Sequence, residues 1–107
     1  MPKISLVIPT YNYGHFLGEA IQSVLDQTFT DFELIVVDDG STDNTKEVVD
    51  SFKDPRVKYI YQENRGVSAA QNTGIQASSG EYVAFLGADD VLIKNALEKG
   101  VQVLDKH

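Results

Sequence analysis

The stretch that decides the fold is residues 32–43, which read FELIVVDDGSTD. It begins with apolar, β-prone residues and ends with two aspartates, a glycine and three short polar residues. Near-continuous β-rich runs are typical of strands buried on both faces of a sheet. Ser41, Thr42 and Asp43 are good helix N-caps. The stretch therefore predicts a buried strand that leads through a turn into a helix.

Three further runs have the same build, at residues 4–9 (ISLVIP), 57–61 (VKYIY) and 82–86 (YVAFL), beside the strand at 33–37. The order βαβαβαβα predicts a three-layer α/β/α fold with a mostly parallel sheet and right-handed crossovers. Between the strands the apolar spacing becomes helical. The predicted inward-facing residues are Leu17, Ala20, Ile21, Val24 and Leu25, then Val48, Val49 and Phe52, then Val67, Ala70, Gly74 and Ile75, and last Ile93, Leu97, Val101 and Leu104.

The composition is that of one compact globular domain, with 107 residues, 42% of them apolar and 23% charged. The formal net charge of −7 disfavours nucleic acid and anionic membranes as partners. A phosphorylated ligand would need local positive charge from helix N-termini or from a metal ion. The lack of cysteine excludes disulfides and thiolate metal sites. No apolar run approaches the roughly 18 residues of a membrane span, so we expect a cytoplasmic protein.

Polar residues and glycines crowd the carboxyl ends of the predicted strands, at residues 10–14 (TYNYG), 38–41 (DDGS), 62–66 (QENRG) and 87–90 (GADD). In a parallel sheet, ligands bind at this edge, where the strand order reverses. An acid at the end of the second strand can accept hydrogen bonds from a nucleoside. Because neighbours on a strand point to opposite sides, only one of Asp38 and Asp39 is expected to face such a ligand.

The other candidates each have a plain structural interpretation as well. Asp89 and Asp90 are either a helix cap or ligands of Mg²⁺ or Mn²⁺, which prefer oxygen and share a substrate's phosphates. Tyr11 is either a rim aromatic or a stacking wall for a base. Arg65 is either a loop residue or a cation offered to the crevice. The sequence alone leaves these alternatives open.

Several nucleotide-binding classes are excluded or disfavoured. The sequence has no GxxxxGK[ST], which excludes a P-loop NTPase, and no GxGxxG after the first strand, which argues against a dinucleotide oxidoreductase. A nucleotidyltransferase usually has a basic phosphate loop after the first strand. Residues 10–14 contain no lysine or arginine, so this class is a weaker alternative.

Several segments in this order and spacing form a specific combination that covers essentially the whole chain. They are residues 5–12 (SLVIPTYN), 23–28 (SVLDQT), 32–43, 64–74 (NRGVSAAQNTG) and 80–86 (GEYVAFL), followed by Asp89 and Asp90. Together they resemble the family 2 glycosyltransferases, which have the Rossmann-like GT-A fold and transfer a sugar with inversion. The resemblance implies the strand order 3-2-1-4 and a nucleoside-diphosphate sugar, most often a UDP-sugar, as the donor.

The resemblance also implies roles for individual residues. Pro9, Thr10 and Tyr11 would border the base, and Asp39 would bond it. Asp89 would occupy the metal-coordinating position of the family's DxD motif and, with Asp90, hold Mg²⁺ or Mn²⁺. The full predicted nucleotide-binding set is Pro9, Thr10, Tyr11, Asn12, Asp38, Asp39, Arg65 and Ala88.

Three positions depart from the family pattern. Gly87 stands where the first Asp of the DxD motif is usual, Gln71 where Arg is common, and Lys94 where Pro often follows. Metal affinity is therefore in question. Two hypotheses remain: the donor-binding half of an active transferase, or a degenerate module that binds nucleotide or mediates assembly without transfer.

Family catalytic domains continue well beyond the length of this chain. By resemblance, the acceptor site and the carboxylate base lie beyond His107, so we expect residues 1–107 to be one truncated, inactive domain. The longer enzyme would act on a saccharide or lipid-linked acceptor in polysaccharide assembly, at the inner face of the membrane. Residues 82–86 would form a bare sheet edge, which predicts self-association.

Overall fold

A computed structural model describes residues 2–106, in which four strands and four helices alternate as predicted. Within these residues no helix has the length and hydrophobicity needed to cross a bilayer. The elements are β1 Ile4–Thr10, α1 Gly14–Leu25, β2 Phe32–Asp39, α2 Thr45–Asp50, β3 Val57–Gln62, α3 Val67–Ala77, β4 Tyr82–Phe85 and α4 Ala96–Asp105.

The four strands form one parallel sheet in the order β3-β2-β1-β4. Ile4 of β1 pairs with Phe32 on one side and with Tyr82 on the other. The chain therefore winds outward from β1 to β3 and then returns to place β4 beside β1. The predicted parallel sheet and its 3-2-1-4 order are confirmed. The winding reverses between β2 and β4, across the carboxyl end of β1.

The two faces of the central strands bury different side chains. Leu6 and Leu34 belong to the larger core, which α1, α2 and α4 cover, whereas Val7, Ile35 and Val37 pack with Ala70 of α3. Successive residues of a strand point to opposite faces, so a continuous apolar run fills both cores. The predicted three-layer α/β/α arrangement is confirmed.

Helix α3 packs closely on the sheet through its small residues. A Cβ placed on Gly74 would lie 2.3 Å from Cγ1 of Val7, so only glycine permits this approach. The predicted small-residue face is confirmed for Ala70 and Gly74, which are buried. It is wrong for Val67 and Ile75, which are 63% and 46% exposed. The contact is so close that the bulky side chains flank it instead of lying in it.

The predicted burial on both faces is correct for β1 and β2 and wrong for β3 and β4. Val83 and Phe85 of β4 are 38% and 45% exposed, on the face that carries α3. The reason is that α3 lies mainly over the central strands β1 and β2. Helix α4 likewise buries Leu97 and Val101. Two residues of its predicted stripe are exposed: Ile93 precedes the helix, and Leu104 lies in its last turn.

Candidate functional site

A cavity of about 360 Å³ opens at the carboxyl ends of β1, β2 and β4, where the winding of the sheet reverses. Its size is within the range of small-molecule sites, about 300–1,000 Å³. The wall consists of Pro9, Thr10, Tyr11, Tyr13, Asp39, Val67, Ala70, Gln71, Phe85, Leu86, Gly87, Ala88 and Asp89. The crevice therefore lies where the strand pattern predicts a ligand.

The predicted site residues divide into two groups. Those that line the cavity are Pro9, Thr10, Tyr11, Asp39, Ala88 and Asp89. Those that lie outside its wall are Asn12, Asp38, Arg65 and Asp90. The two carboxylates that come from separate strands, Asp39 and Asp89, thus share one cleft. In the second group, Arg65 bonds a member of the first directly, through its N–H to Asp39.

Asp39 is buried and held from three directions. Its Oδ1 accepts hydrogen bonds from Gln62 Nε2 and from the N–H of Arg65, both at 2.9 Å, and its Oδ2 accepts one from the N–H of Gly66 at 2.8 Å. Burial alone would raise the pKa of Asp39, but these hydrogen bonds outweigh it and lower the pKa below the usual value. Asp39 is therefore a fixed carboxylate anion in the wall of the cavity.

Asp38 points to the opposite side of β2, as the alternation of strand side chains predicts. Its Oδ2 accepts a hydrogen bond from the Tyr59 hydroxyl at 2.6 Å, and its Oδ1 accepts one from the N–H of Ser41 at 2.9 Å. Burial and this bond to Asp38 raise the pKa of Tyr59. Asp38 thus fixes the turn after β2.

Asn12 joins the loop after β1 to the loop after β2. Its side-chain Oδ1 accepts hydrogen bonds from the N–H groups of Thr42 and Asp43, and its own N–H donates to Ser41 Oγ. Its φ of 55° lies in the left-handed region, which Asn tolerates better than most residues. The structure gives Asn12 a role in holding the rim of the cavity.

Asp43 connects the N-termini of two helices. Its Oδ2 accepts a hydrogen bond from the N–H of Gly14 in α1 at 3.0 Å, and its Oδ1 accepts one from the N–H of Thr45 in α2 at 3.1 Å. The predicted N-cap position is wrong for Asp43, since Asn44 is the N-cap of α2, although Asp43 accepts hydrogen bonds from the first N–H of both helices. It is also wrong for Ser41 and Thr42, whose groups bond Asn12 instead.

Thr10 offers the cavity an unused polar group. Its side chain is 3% exposed, and within residues 2–106 its Oγ1 has no hydrogen-bond partner. Buried polar atoms in proteins are almost always paired, so a ligand atom or a water molecule in the cavity would bond this hydroxyl. Beside it, Tyr11 and Tyr13 are 47% and 44% exposed, which leaves their rings free to contact a ligand.

Asp89 and Asp90 follow β4 at the mouth of the cavity, and their carboxylates converge above Gly87. A Cβ placed on Gly87 would lie 2.6 Å from Asp90 Oδ2 and 3.3 Å from Asp89 Oδ1. Among the described residues no group of three or more His, Asp or Glu side chains is placed to hold a metal. A cation here would therefore need oxygen atoms from a ligand and from water.

Charge in the cavity wall is entirely negative. Asp39 and Asp89 are the charged residues that line it, and Gln71 beside them is neutral. Arg65, predicted as a cation for the crevice, is exposed and contributes its backbone N–H to Asp39. A diphosphate in this cavity would need a bound cation to offset the two carboxylates.

Five wall residues had no predicted role in a site, namely Tyr13, Val67, Ala70, Phe85 and Leu86. Val67 and Phe85 belong to apolar runs and were assigned to the core. No local signal marks Phe85, because it lies on the face of the sheet that carries α3 and its exposure depends on how far α3 extends. Tyr13 stands in the loop at residues 10–14, which was singled out without an individual role for it.

A parallel sheet with a cavity at its switch point is typical of α/β domains that bind a ligand there. The profile of Glycosyl transferase family 2 matches residues 5–107, and the chain belongs to that family. The predicted resemblance is thus confirmed.

Two bacterial relatives illustrate the match. The chain is 46% identical over 104 residues to an uncharacterized glycosyltransferase of Nostoc sp., a match that covers 94% of the chain and 32% of the relative. It is 45% identical over 98 residues to the glycosyltransferase GlyG of Streptococcus pneumoniae, covering 89% of the chain and 33% of the relative. The chain thus spans about a third of the length of these proteins.

Solved structures show the same architecture. S. aureus TarS 1-349 in complex with UDP superposes with a TM-score of 0.92 at 32% identity, covering 98% of this chain and 32% of that one. The mannosyltransferase PcManGT from Pyrobaculum calidifontis, in complex with GDP-Man and Mn²⁺, superposes with a TM-score of 0.89 at 28% identity, covering 96% and 32%. The predicted GT-A fold is confirmed.

Proposed function

We propose that the chain is the donor-binding domain of a glycosyltransferase that uses a UDP-sugar. The observation that carries the proposal is that Asp39 and Asp89 line one cavity, together with the unpaired hydroxyl of Thr10. Solved members of the fold bind UDP or GDP-Man, which supports a nucleoside-diphosphate sugar as the ligand.

Asp39 selects the base in this proposal. A carboxylate anion only accepts hydrogen bonds, and uracil and guanine present a ring N–H where cytosine presents a bare nitrogen. Oδ2 of Asp39 accepts one protein hydrogen bond and keeps room for a ring N–H. The exposed ring of Tyr11 offers a face on which the base can stack. Uracil fits this arrangement, and cytosine is disfavoured.

Asp89 holds a divalent cation against the diphosphate in this proposal. Magnesium and manganese ions are commonly bound by one or two carboxylates, with substrate phosphates and water as the other ligands. The two carboxylates that converge above Gly87 fit such a cation. When bound, it would neutralise charge on the leaving diphosphate. Asp89 and Asp90 would orient it, and Asp39 would fix the nucleoside at the other end of the cavity.

The transfer step is assigned to the longer enzyme. Because the chain spans about a third of its relatives, we propose that the acceptor site and the carboxylate base lie outside residues 1–107. The base would take the proton of an acceptor hydroxyl, whose oxygen attacks the anomeric carbon as the diphosphate leaves, with inversion. The domain alone is then inactive in transfer and competent in binding.

A second candidate function is nucleotide binding without transfer. Gly87 and Gln71 favour it, since both remove charged groups that the family commonly places against the metal and the phosphates. The two candidates differ in one measurable property, which is whether a divalent cation strengthens the binding of the nucleotide.

Calorimetric titration of UDP with and without Mn²⁺ tests the proposal. We expect Mn²⁺ to tighten binding by roughly 10-fold or more, and Asp89→Asn to remove that gain, because ligand loss commonly costs at least this much affinity. Asp31→Asn is the matched control, since Asp31 is an exposed acid at the opposite edge of the sheet. Binding without any effect of Mn²⁺ supports the second candidate. No binding under either condition contradicts both.

A further inference from the structure

The segment between Asp89 and helix α4 has little of its own to fix its shape. Residues 91–95 contain no helix or strand, and Val91 and Ile93 are 60% and 68% exposed. Of the three apolar side chains at residues 91–93, Leu92 is the one that packs against the core. Asp89 and Asp90 stand directly before it, in a turn that the N–H of Asp90 closes by donating to the carbonyl oxygen of Gly87 at 3.0 Å.

Hydrogen bonds from the end of α1 hold this segment. Gln27 Nε2 donates to the carbonyl oxygen of Ile93 at 2.7 Å, and Gln27 Oε1 accepts from the N–H of Leu97 at 3.0 Å. Ser23 Oγ accepts from the N–H of Leu92 at 3.0 Å. The N–H of Thr28 donates to the carbonyl oxygen of Lys94 at 2.9 Å. We call Ser23, Gln27 and Thr28 the α1 clamp.

The side chains of the clamp are themselves fixed. Gln27 is 4% exposed, and its Nε2 also donates to the carbonyl oxygen of Ser23 at 3.0 Å, so both ends of its amide are engaged. Ser23 is 9% exposed, and its hydroxyl donates to the carbonyl oxygen of Ala20 at 2.7 Å while accepting from Leu92. Each group has one orientation that satisfies all of its partners, which makes the clamp rigid.

Hydrogen bonds from the α1 clamp hold the chain that follows the acidic pair, and packing in the core holds the chain that precedes it. Leu86 and Ala88 are buried at 8% and 4% exposure, and the N–H of Leu86 donates to the carbonyl oxygen of Val7 at 3.0 Å. Leu92, three residues after Asp89, is held by Ser23. The short stretch between these two anchors carries both carboxylates.

We propose that Gln27 and Ser23 are positioning residues for cation-dependent donor binding. They hold residues 92–97 so that the Asp89 carboxylate faces the cavity. This inference rests on the proposed function. Groups that orient the ligands of a metal commonly influence affinity as much as the ligands do, because a misplaced carboxylate must be reordered when the cation binds.

The test compares the affinity of the 107-residue chain for UDP with and without Mn²⁺ in Gln27→Ala, Ser23→Ala and Gln22→Ala. Gln22 is the matched control, because it is an exposed glutamine of the same helix that bonds only Asp26 among the described contacts. We expect Gln27→Ala and Ser23→Ala to reduce the Mn²⁺-dependent gain by roughly 10-fold. Both should leave the metal-free affinity for UDP unchanged, and Gln22→Ala should change neither.

The metal-free affinity also reports folding, because it depends on Asp39 at the other end of the cavity. If Gln27→Ala does not fold, the Mn²⁺-dependent gain in UDP affinity is measured in Ser23→Ala alone. An undiminished Mn²⁺ gain in the folded clamp variants overturns the proposal, and so does an equal loss with and without Mn²⁺, which marks a purely structural role. If the wild-type chain binds UDP with no gain from Mn²⁺, the clamp proposal fails and nucleotide binding stands. If the wild type binds no UDP, both fail.

Discussion

The side-chain oxygen of Asn12 accepts a hydrogen bond from the N–H of Thr42 at 2.8 Å, and this bond ties together the loops that follow β1 and β2. The N–H of Asn12 donates in turn to Ser41 Oγ at 2.8 Å. Tyr11 and Asp39, one from each strand end, line the cavity. The distance between the two walls of the cavity therefore depends on a residue that does not line it.

Two substitutions of Asn12 should distinguish the stability that comes from its side-chain hydrogen bonds from the cost of its left-handed backbone conformation. Asn12→Gly removes the side chain but tolerates the φ of 55°, so we expect a loss of about 1 kcal/mol in the free energy of unfolding. Asn12→Ala adds left-handed strain of about 1–2 kcal/mol to that loss. Urea unfolding measures both. Equal stability of the two variants would contradict the role of the backbone conformation.

Glu33 should make folding sensitive to acid. This buried carboxylate accepts hydrogen bonds from Ser5, Ser79 and Lys58 at the amino edge of the sheet. Burial alone would raise the pKa of Glu33, but these bonds lower it from 4.5 to about 2. Because the folded-state pKa is depressed, the stabilisation is present above the unfolded value of 4.5 and is lost as the pH falls toward 2.

At about 1.4 kcal/mol per pKa unit, the depressed pKa of Glu33 corresponds to at most roughly 3.5 kcal/mol, part of which is screened at the exposed lysine. We expect Glu33→Gln to lower the free energy of unfolding at pH 7 and to flatten its dependence on pH below 4.5. Urea unfolding at a series of pH values measures this. A variant with the wild-type pH dependence would show that another carboxylate is responsible.

Gly74 and Gly100 should respond oppositely to alanine. A Cβ at Gly74 would lie 2.3 Å from Val7 Cγ1, so we expect Gly74→Ala to destabilise the fold by about 1–3 kcal/mol through overpacking. At Gly100, within α4, a Cβ would meet nothing within 4 Å. Gly100→Ala should stabilise the fold by about 0.5–1 kcal/mol, because alanine favours a helix. Thermal unfolding of both variants checks the pair.

Self-association through the edge of β4 remains a prediction. Both β3 and β4 are edge strands of the sheet. On β3 the exposed Lys58 protects the edge, whereas β4 exposes Val83. We expect concentration-dependent association in sedimentation velocity, reduced by Val83→Lys. Strictly monomeric behaviour of the wild type at high concentration would refute this.

Much of the fold could be predicted because its signals are local. The apolar runs of the strands and the apolar stripe of α1 predict which faces are buried. Parallel pairing then brings the carboxyl ends of the strands to one edge of the sheet. The alternation of side chains also predicted that Asp38 and Asp39 point to opposite sides of β2. The structure places only Asp39 in the cavity wall.

The supporting contacts could not be predicted, since they join residues that are distant in sequence. Nothing local indicates that Arg65 offers Asp39 its backbone N–H, or that Gln27 bonds Ile93. The exposure of Val83 and Phe85 was likewise missed, because it depends on how far α3 extends across the sheet. These contacts and exposures result from how whole helices and strands pack, and no periodic pattern in the sequence indicates them.

The most direct test of the account is a calorimetric titration of uridine and of UDP, in the presence of Mn²⁺, against the wild type, Asp39→Asn and Asp89→Asn. If both carboxylates serve one ligand, Asp39→Asn weakens both compounds by roughly 10-fold, about the effect of one charged hydrogen bond, while Asp89→Asn weakens UDP alone. The account is contradicted if Asp39→Asn leaves uridine binding unchanged, or if Asp89→Asn weakens uridine and UDP equally.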